Sequence, residues 1–133
     1  MIPGATRSVG VASAAALRYA TAMLNDGLTE QKFEHRADET LRALDRALAD
    51  VDGTEVDLES GILTIEFTDT TKYVINSHRA ARQIWMAAER NAWHFDYREE
   101  DARWVASRTG DELWQAVDGV ISRKLGRPIG LAR

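Results

Sequence analysis

The spacing of hydrophobic residues changes twice along this chain, and the changes limit the folds that it can adopt. Residues 33 to 51 place apolar side chains three and four positions apart, as an amphipathic helix does. Residues 55 to 107 place them at alternate positions in several short runs, which is typical of strands with one buried face. Residues 113 to 125 return to helical spacing. The pattern therefore predicts a helix, about six strands and a second helix, in that order.

Local signals indicate where the two helices begin and end. Thr29 is a suitable N-cap for the first helix, and Gly53 is expected to end it. Thr109 and Glu112 fit a Thr-x-x-Glu capping box in front of the second helix. Gly126 is expected to end that second helix.

The strands are joined by short connections, which favour antiparallel neighbours over parallel crossovers. The strand segments are residues 55–59, 62–67, 72–76, 83–88, 93–98 and 103–107. One sheet with both helices on the same side buries the apolar stripe of each helix and one face of every strand. We therefore predict an α+β fold, a two-layer α/β sandwich whose antiparallel sheet of about six strands carries the N- and C-terminal helices on one face.

The two ends of the chain differ from its centre. Residues 1–27 are rich in alanine and serine, and they contain Arg7 and Arg18 but no acid before Asp26. This composition fits an organelle transit peptide, or an extension that is disordered or absent from a mature protein starting at Met23. We prefer the second interpretation because the composition is unspecific. The folded domain is expected to span residues 28–126, followed by a short C-terminal tail at 127–133.

Composition excludes several classes of function. The 133 residues include no cysteine, so the chain has no thiolate nucleophile and no cysteine ligand for zinc or an iron–sulfur cluster. No apolar run reaches the roughly 20 residues of a membrane helix. The net charge of −4 argues against general affinity for nucleic acid. We therefore expect a soluble protein that binds neither nucleic acid nor membranes.

Acidic residues are concentrated in one stretch of the chain. From Asp45 to Asp69 there are eight acids and one base, so this stretch carries a charge of −7. The candidate metal ligands lie on one edge of the first helix, in the following connection and on one face of the first strand: Glu34, Asp38, Asp45, Asp50, Asp52, Glu55, Asp57 and Glu59. They form one ridge if that strand is the sheet edge beside the helix. Carboxylate oxygens suit iron, manganese, calcium or magnesium, and a solvated acidic surface without a ligand is the alternative.

Strand alternation also predicts which side chains face the solvent. Ile84 and Met86 belong on the core side, so Gln83 and Trp85 point outward, and Asn76 shares their face by parity. An exposed tryptophan beside amide side chains is typical of a protein-binding surface. The alternative is that an arginine or a shifted register covers Trp85. The three histidines share no metal-binding spacing, and none is assigned as a ligand.

Several segments together resemble one known family. Besides the helix with an acidic edge, they are SGILTIEF at 60–67, YVIN at 73–76, QIWMA at 83–87, WHFDY at 93–97, RW at 103–104 and RTGDELW at 108–114. In this order and spacing, residues 28–126 resemble the frataxin family. The HFDY segment is most similar to the bacterial branch of that family, the CyaY proteins.

The resemblance implies a frataxin-like fold and an iron-binding protein that regulates iron–sulfur cluster assembly. It implies that Fe²⁺ and Fe³⁺ bind on the acidic ridge, where the family pattern is matched by Asp45, Asp50, Asp52, Glu55 and Asp57. Glu34, Asp38 and Glu59 are added from helix and strand geometry only. Exposed carboxylates hold a metal partly through water, so binding is expected to be weak and reversible. Arg46 lies within the ridge, and this also lowers the expected affinity for iron.

The resemblance also implies the partners. Asn76, Gln83 and Trp85 match the sheet-face residues that contact the cysteine desulfurase and its scaffold protein. Such a protein is expected not to be an enzyme, apart from a weak iron-oxidising activity, and to be a monomer with possible iron-dependent oligomers. We expect it in the bacterial cytoplasm, or in the mitochondrial matrix if residues 1–22 are a transit peptide.

Two other functions stay open at this point. In one, the protein is an acidic interaction module that modulates the desulfurase without physiological metal binding. In the other, it is an oligomeric protein that stores or oxidises iron.

Overall fold

The structure, a computed structural model, describes residues 29–133, which form two helices and six strands. The helices are α1 (Glu30–Leu48) and α2 (Leu113–Leu125). The strands are β1 (Thr54–Glu59), β2 (Ile62–Phe67), β3 (Lys72–His78), β4 (Gln83–Ala88), β5 (Asn91–Arg98) and β6 (Arg103–Ala106). The expectations about residues 1–27 lie outside the described residues. No helix within residues 29–133 is long and apolar enough to cross a membrane.

The six strands form one antiparallel sheet in chain order, with β1 at one edge and β6 at the other. Each strand pairs with the next one through a tight turn, as the short connections predicted. Apolar side chains of α1 and α2 and of one sheet face form a single buried core. The predicted α+β two-layer sandwich, with both helices on one face of the sheet, is therefore confirmed.

The register of the strands shows which side chains share a face, because directly opposite residues of antiparallel strands point the same way. Leu63, Ile75 and Met86 form one row across β2, β3 and β4 on the buried face. Ile62, Asn76 and Trp85 form the neighbouring row. That row lies on the other face of the sheet, which we call the open face.

The ends of α1 follow the prediction at the N-terminus only. Thr29 is the N-cap, and its hydroxyl oxygen accepts a hydrogen bond from the backbone N–H of Lys32 at 3.2 Å. The helix ends at Leu48 with Ala49 as its C-cap, so the expectation that Gly53 ends it was wrong. Gly53 instead lies in the turn before β1, at a φ of +93° that favours glycine.

The predicted capping box in front of α2 was also wrong. Glu112 is itself the N-cap, and its carboxylate accepts hydrogen bonds from the backbone N–H groups of Trp114 at 3.0 Å and of the next residue at 3.1 Å. Thr109 instead donates to the carboxylate of Asp111 at 2.9 Å. The carbonyl of Asp111 accepts a hydrogen bond from Ala106 of β6 at 2.8 Å. Because the chain is still bound to the sheet at this point, the helix begins later than the motif predicts.

The C-terminal segment 127–133 is packed on the domain. Arg127 donates from Nη2 to the carbonyl oxygen of Asp52 at 2.6 Å, which ties the segment to the connection between α1 and β1. The backbone N–H of Leu131 donates to the carboxylate of Asp118 at 2.8 Å, and the Leu131 side chain packs against the core. The segment expected as a short tail is thus held by both hydrogen bonds and apolar contacts.

An ion pair joins α2 to the turn between β2 and β3. Lys124 Nζ lies 2.6 Å from Oδ2 of Asp69, and the Asp69 carboxylate also accepts a hydrogen bond from the backbone N–H of Thr71 at 2.9 Å. The hydrogen bond from Lys124, followed by those from Thr71, lowers the pKa of Asp69 from 3.8 to about 2. A carboxylate with a lowered pKa stabilises the fold above its unfolded-state pKa and stops doing so as the pH falls through its folded-state pKa.

We therefore expect Asp69→Asn to reduce the free energy of unfolding at pH 7. This reduction should become smaller as the pH falls from about 4 to about 2. Urea unfolding of the wild type and the variant at a series of pH values measures the difference. Glu99→Gln is the matched control, because Glu99 is an exposed turn acid that forms no ion pair within residues 29–133. A difference between wild type and Asp69→Asn that stays constant over this pH range would contradict the prediction.

Candidate functional site

The edge strand β1 carries three exposed carboxylates on the open face of the sheet. Glu55, Asp57 and Glu59 alternate with half-buried residues that point toward the core. β1 is the edge strand and α1 packs beside it, as the ridge hypothesis requires. However, the strand carboxylates and α1 lie on opposite sides of β1. The candidate ligands of α1 and of β1 therefore lie on two sides of the sheet and do not form a single row.

The helix acids Glu34 and Asp38 are already paired with cations. Glu34 Oε1 lies 3.1 Å from Nε of Arg79 in the turn between β3 and β4. Asp38 Oδ2 lies 2.8 Å from Nε of Arg42, one helical turn away. Within residues 29–133 the other six candidate acids form no ion pair: Asp45, Asp50, Asp52, Glu55, Asp57 and Glu59. The structure thus divides the predicted ligands into a paired group and an unpaired group.

Positive charges also lie beside the connection between α1 and β1. Asp50 and Asp52 are exposed there, and Asp45 is half-buried in the last turns of α1. Arg46 is exposed in the final turn of α1, and Arg127 donates to the Asp52 carbonyl oxygen. Both guanidinium groups reduce the negative potential along this connection.

Glu66 was not among the predicted ligands, although it faces the strand carboxylates. It lies directly opposite Glu55 in the register of β1 and β2. Both residues line a shallow groove of about 340 Å³ at this end of the two strands. Like charges in opposite cross-strand positions repel each other, and Lys72 of β3, which lies opposite Glu66 on its other side, already offsets part of this repulsion. Alternation along β2 is enough to place Glu66 on the open face, but the strand register is needed to place it beside Glu55.

No preformed chelating site is present in the part of the chain that the structure describes, since no three carboxylate or imidazole side chains converge to hold a metal ion. The unpaired acids form an extended charged edge. A cation at such an edge is held by few protein oxygens and completes its coordination with water.

Three aromatic rings are stacked on the open face. The ring centroid of Trp85 lies 3.8 Å from that of His78 and 4.2 Å from that of His94, with interplanar angles of 16° and 17°. His78 is on β3, Trp85 on β4 and His94 on β5, so the imidazoles cover opposite faces of the indole. We call these three residues the ring stack.

Two further side chains hold the indole of the ring stack. Trp85 donates from Nε1 to Oε1 of Gln83 at 2.8 Å. Gln83 in turn donates from Nε2 to Oδ1 of Asp96 at 3.0 Å. The indole is therefore fixed on both of its faces and at its N–H group.

The ring stack changes what the sequence predicted for Trp85 and for two of the histidines. Trp85 points outward in the predicted register, and two histidines stack on its indole ring. Sequence reasoning gave no role to His78 and His94, and it ended the third strand at residue 76, whereas His78 is the last residue of β3. Alternation along β5 could have placed His94 on the open face. Only the pairing of β4 with β5 shows that it lies opposite Trp85.

A small apolar area adjoins the ring stack. Asn76 lies opposite Trp85, and Ile62 lies opposite Asn76 in the same row. Ile62 is 47% exposed and is the one large apolar side chain that is exposed within residues 29–133. The next row contains Val74, Ala87 and Ala92. The open face thus has an apolar and aromatic centre beside an acidic edge, as protein-binding surfaces commonly do.

The chain is similar to proteins of one family. The model of the Frataxin-like domain matches residues 26–127. The iron-sulfur cluster assembly protein CyaY of Pseudomonas fluorescens (strain Pf0-1) is 31% identical over 101 residues, which cover 74% of this chain and 91% of that protein. The protein of the same name from Ralstonia nicotianae is 37% identical over 102 residues, which cover 73% of this chain and 88% of that protein.

Solved structures agree with the sequence comparisons. The frataxin from Psychromonas ingrahamii superposes with a TM-score of 0.73 at 23% identity, covering 80% of this chain and all of that one, and it shows the same fold. A trimeric frataxin from Saccharomyces cerevisiae, complexed with ferrous iron, superposes with a TM-score of 0.56 at 25% identity, covering 78% of this chain and 92% of that one.

Proposed function

The chain belongs to the frataxin family and has bacterial CyaY relatives, and on this premise we propose that it binds iron and regulates iron–sulfur cluster assembly. One observation carries the proposal: the open face joins an edge of unpaired carboxylates to a fixed, half-exposed tryptophan. Two of its relatives are named iron-sulfur cluster assembly proteins, and a frataxin of the same fold was solved with ferrous iron.

Iron is the cargo in this proposal. The unpaired acids along β1 and in the connection before it attract Fe²⁺ or Fe³⁺ and hold it through few carboxylate oxygens and several waters. Such coordination is weak and reversible. Reversible binding suits delivery or sensing of iron better than storage.

The partner in this proposal is the cysteine desulfurase with its scaffold protein. Trp85 and Asn76 lie in one row of the open face, from which they can both contact another protein. The chain contains no cysteine, so the thiolate ligands of any cluster assembled with its help belong to the partner. We place the protein in the bacterial cytoplasm as a monomeric regulator that is not itself an enzyme.

Neutralising two unpaired acids should weaken iron binding, whereas neutralising two paired acids should not. We expect Glu55→Gln combined with Asp57→Asn to lower the affinity for Fe²⁺ at least about tenfold, because each removed charge acts on the ion at short range. The matched control is Glu34→Gln combined with Asp38→Asn, which changes the net charge equally. Arg42 is paired with Asp38, and Arg79 is paired with Glu34 and also lies 3.7 Å from Glu30, so the control should stay within about twofold of the wild type.

Anaerobic titration followed by backbone amide NMR measures both affinities. Signals of residues 45 to 59 should shift or broaden first as iron is added. Equal losses in the two double variants would contradict the assignment of the unpaired acids. Unmoved signals throughout residues 45 to 59 would contradict iron binding on this edge.

The lack of three converging ligands within residues 29–133 favours a second function, that of an acidic interaction module. In that case the carboxylates of β1 contact a basic patch on the desulfurase, and iron is incidental. Glu55→Gln combined with Asp57→Asn would then weaken desulfurase binding equally in the presence of iron and of a chelator. The iron-dependent function predicts a loss that is larger with iron, so the same variant separates the two.

A further inference from the structure

Both ends of the Gln83 amide are engaged inside the protein. Its Oε1 accepts from Trp85 Nε1 at 2.8 Å, and its Nε2 donates to Asp96 Oδ1 at 3.0 Å. An indole N–H can only donate and an ionised carboxylate can only accept. A single orientation of the amide satisfies both neighbours, so the donor and acceptor chemistry of Trp85 and Asp96 determines how Gln83 points.

The ring stack removes the remaining freedom of the indole. His78 and His94 lie against its two faces at 3.8 and 4.2 Å between centroids. His78 is held in turn, because its Nδ1 accepts a hydrogen bond from the backbone N–H of Ala81 at 3.2 Å. The indole can therefore neither tilt nor rotate in its plane without breaking a contact.

A half-exposed tryptophan on a solvated sheet would otherwise sample several rotamers. Ordering such a side chain during association weakens binding by about two- to tenfold. An anchor that is ordered beforehand avoids this loss. Gln83 and Asp96 are well placed to provide this order, since they join β4 to β5 on the face that carries Trp85.

We propose that Gln83 and Asp96 are positioning residues, which hold Trp85 in its docking orientation before the partner arrives. Gln83 then acts through Trp85 and needs no contact of its own with the partner. The inference rests on the proposed function, because the partner is the desulfurase and scaffold complex. The state of the indole in the free protein is independent of that function and can be measured separately.

Exchanging the amide of Gln83 and the carboxylate of Asp96 tests the proposal. Gln83→Glu places two carboxylates side by side, and their repulsion should break the hydrogen bonds that hold Trp85. Adding Asp96→Asn places an amide donor opposite the carboxylate of Glu at position 83. That carboxylate can still accept from the Trp85 N–H. The double variant has the same net charge as the wild type. Gln115→Glu is the matched control, because it adds the same charge on α2 in the other layer.

We expect Gln83→Glu to shift and broaden the indole N–H resonance of Trp85 in the free protein, with Trp85→Phe identifying that resonance. Its affinity for the desulfurase and scaffold complex should fall about two- to tenfold. The double variant should recover a narrow indole resonance, and its affinity should return to within about twofold of the wild type. Gln115→Glu should change neither the resonance nor the affinity.

Two results would overturn the proposal. One is an indole resonance that Gln83→Glu leaves unchanged, which would show that the amide does not hold Trp85. The other is a double variant that recovers the resonance but binds as weakly as Gln83→Glu, which would show direct contact by Gln83. A wild type that does not bind the complex overturns the proposed function instead. The indole resonance of the free protein still shows whether Gln83 and Asp96 hold Trp85.

Discussion

Trp85→Ala is expected to weaken binding to the proposed partner, the desulfurase and scaffold complex, by at least about thirtyfold, the loss typical of an aromatic hot spot. Trp85 lies at the centre of the open face, in one row with Ile62 and Asn76. Truncation removes the indole and also leaves His78 and His94 without the ring against which they stack. Isothermal titration calorimetry with the purified complex measures the loss.

The fold should survive this substitution, because Trp85 is half-exposed and is not part of the buried core. Far-UV circular dichroism and thermal unfolding check this. Gln115→Ala, on the exposed side of α2, should bind as the wild type does. Trp85→Phe keeps a ring between the imidazoles but loses the hydrogen bond to Gln83, so its affinity should be intermediate. An affinity of Trp85→Ala within about threefold of the wild type would rule out Trp85 as the anchor.

Phe33→Ala should have the largest effect on stability, a loss of about 3–5 kcal/mol in the free energy of unfolding. Phe33 is 1% exposed, and its ring meets that of Trp104 edge-on, with centroids 6.0 Å apart at an angle of 78°. Trp104 also donates from Nε1 to the hydroxyl of Thr40 at 3.0 Å. The substitution leaves a cavity where α1 is joined to β6, at the edge of the sheet far from β1.

Urea unfolding followed by circular dichroism measures this loss, which is a large part of the total stability of a small domain. Gln31→Ala, exposed in the same turn of α1, is the control and should change the free energy by less than about 0.5 kcal/mol. A loss below about 1 kcal/mol for Phe33→Ala would mean that α1 is not anchored through this contact. Under conditions where Phe33→Ala is still folded, its affinity for the partner should equal that of the wild type.

The architecture was predictable because it follows from periodicities that are local in the sequence. Helical spacing placed Phe33 and Leu44 on the buried stripe of α1, and alternation placed Ile84 inside and Trp85 outside. Each of these assignments depends only on which neighbours in the chain share a face. One buried stripe or face per element then leaves few ways to stack the elements.

The errors concern contacts between residues that are distant in the chain. Thr109 and Glu112 have the spacing of a capping box, but pairing of the intervening chain with β6 delays the start of α2. Glu34 has the right helical angle for the ridge, but Arg79 reaches it from the turn between β3 and β4. Similarly, the pairing of β4 with β5 is what brings His94 against Trp85. Sequence periodicity contains none of this information.

The two edges of the sheet differ in how they are protected from unwanted association. At β6 the chain before α2 covers part of the edge, through a bridge between Val105 and Glu112. At β1 no strand within residues 29–133 pairs with the outer side, so its backbone hydrogen-bonding groups are open to a strand from another molecule. Charged side chains on an edge strand disfavour such pairing. The carboxylates to which we assign iron binding therefore also keep neighbouring molecules apart, so removing them should lower both the proposed metal affinity and the resistance to aggregation.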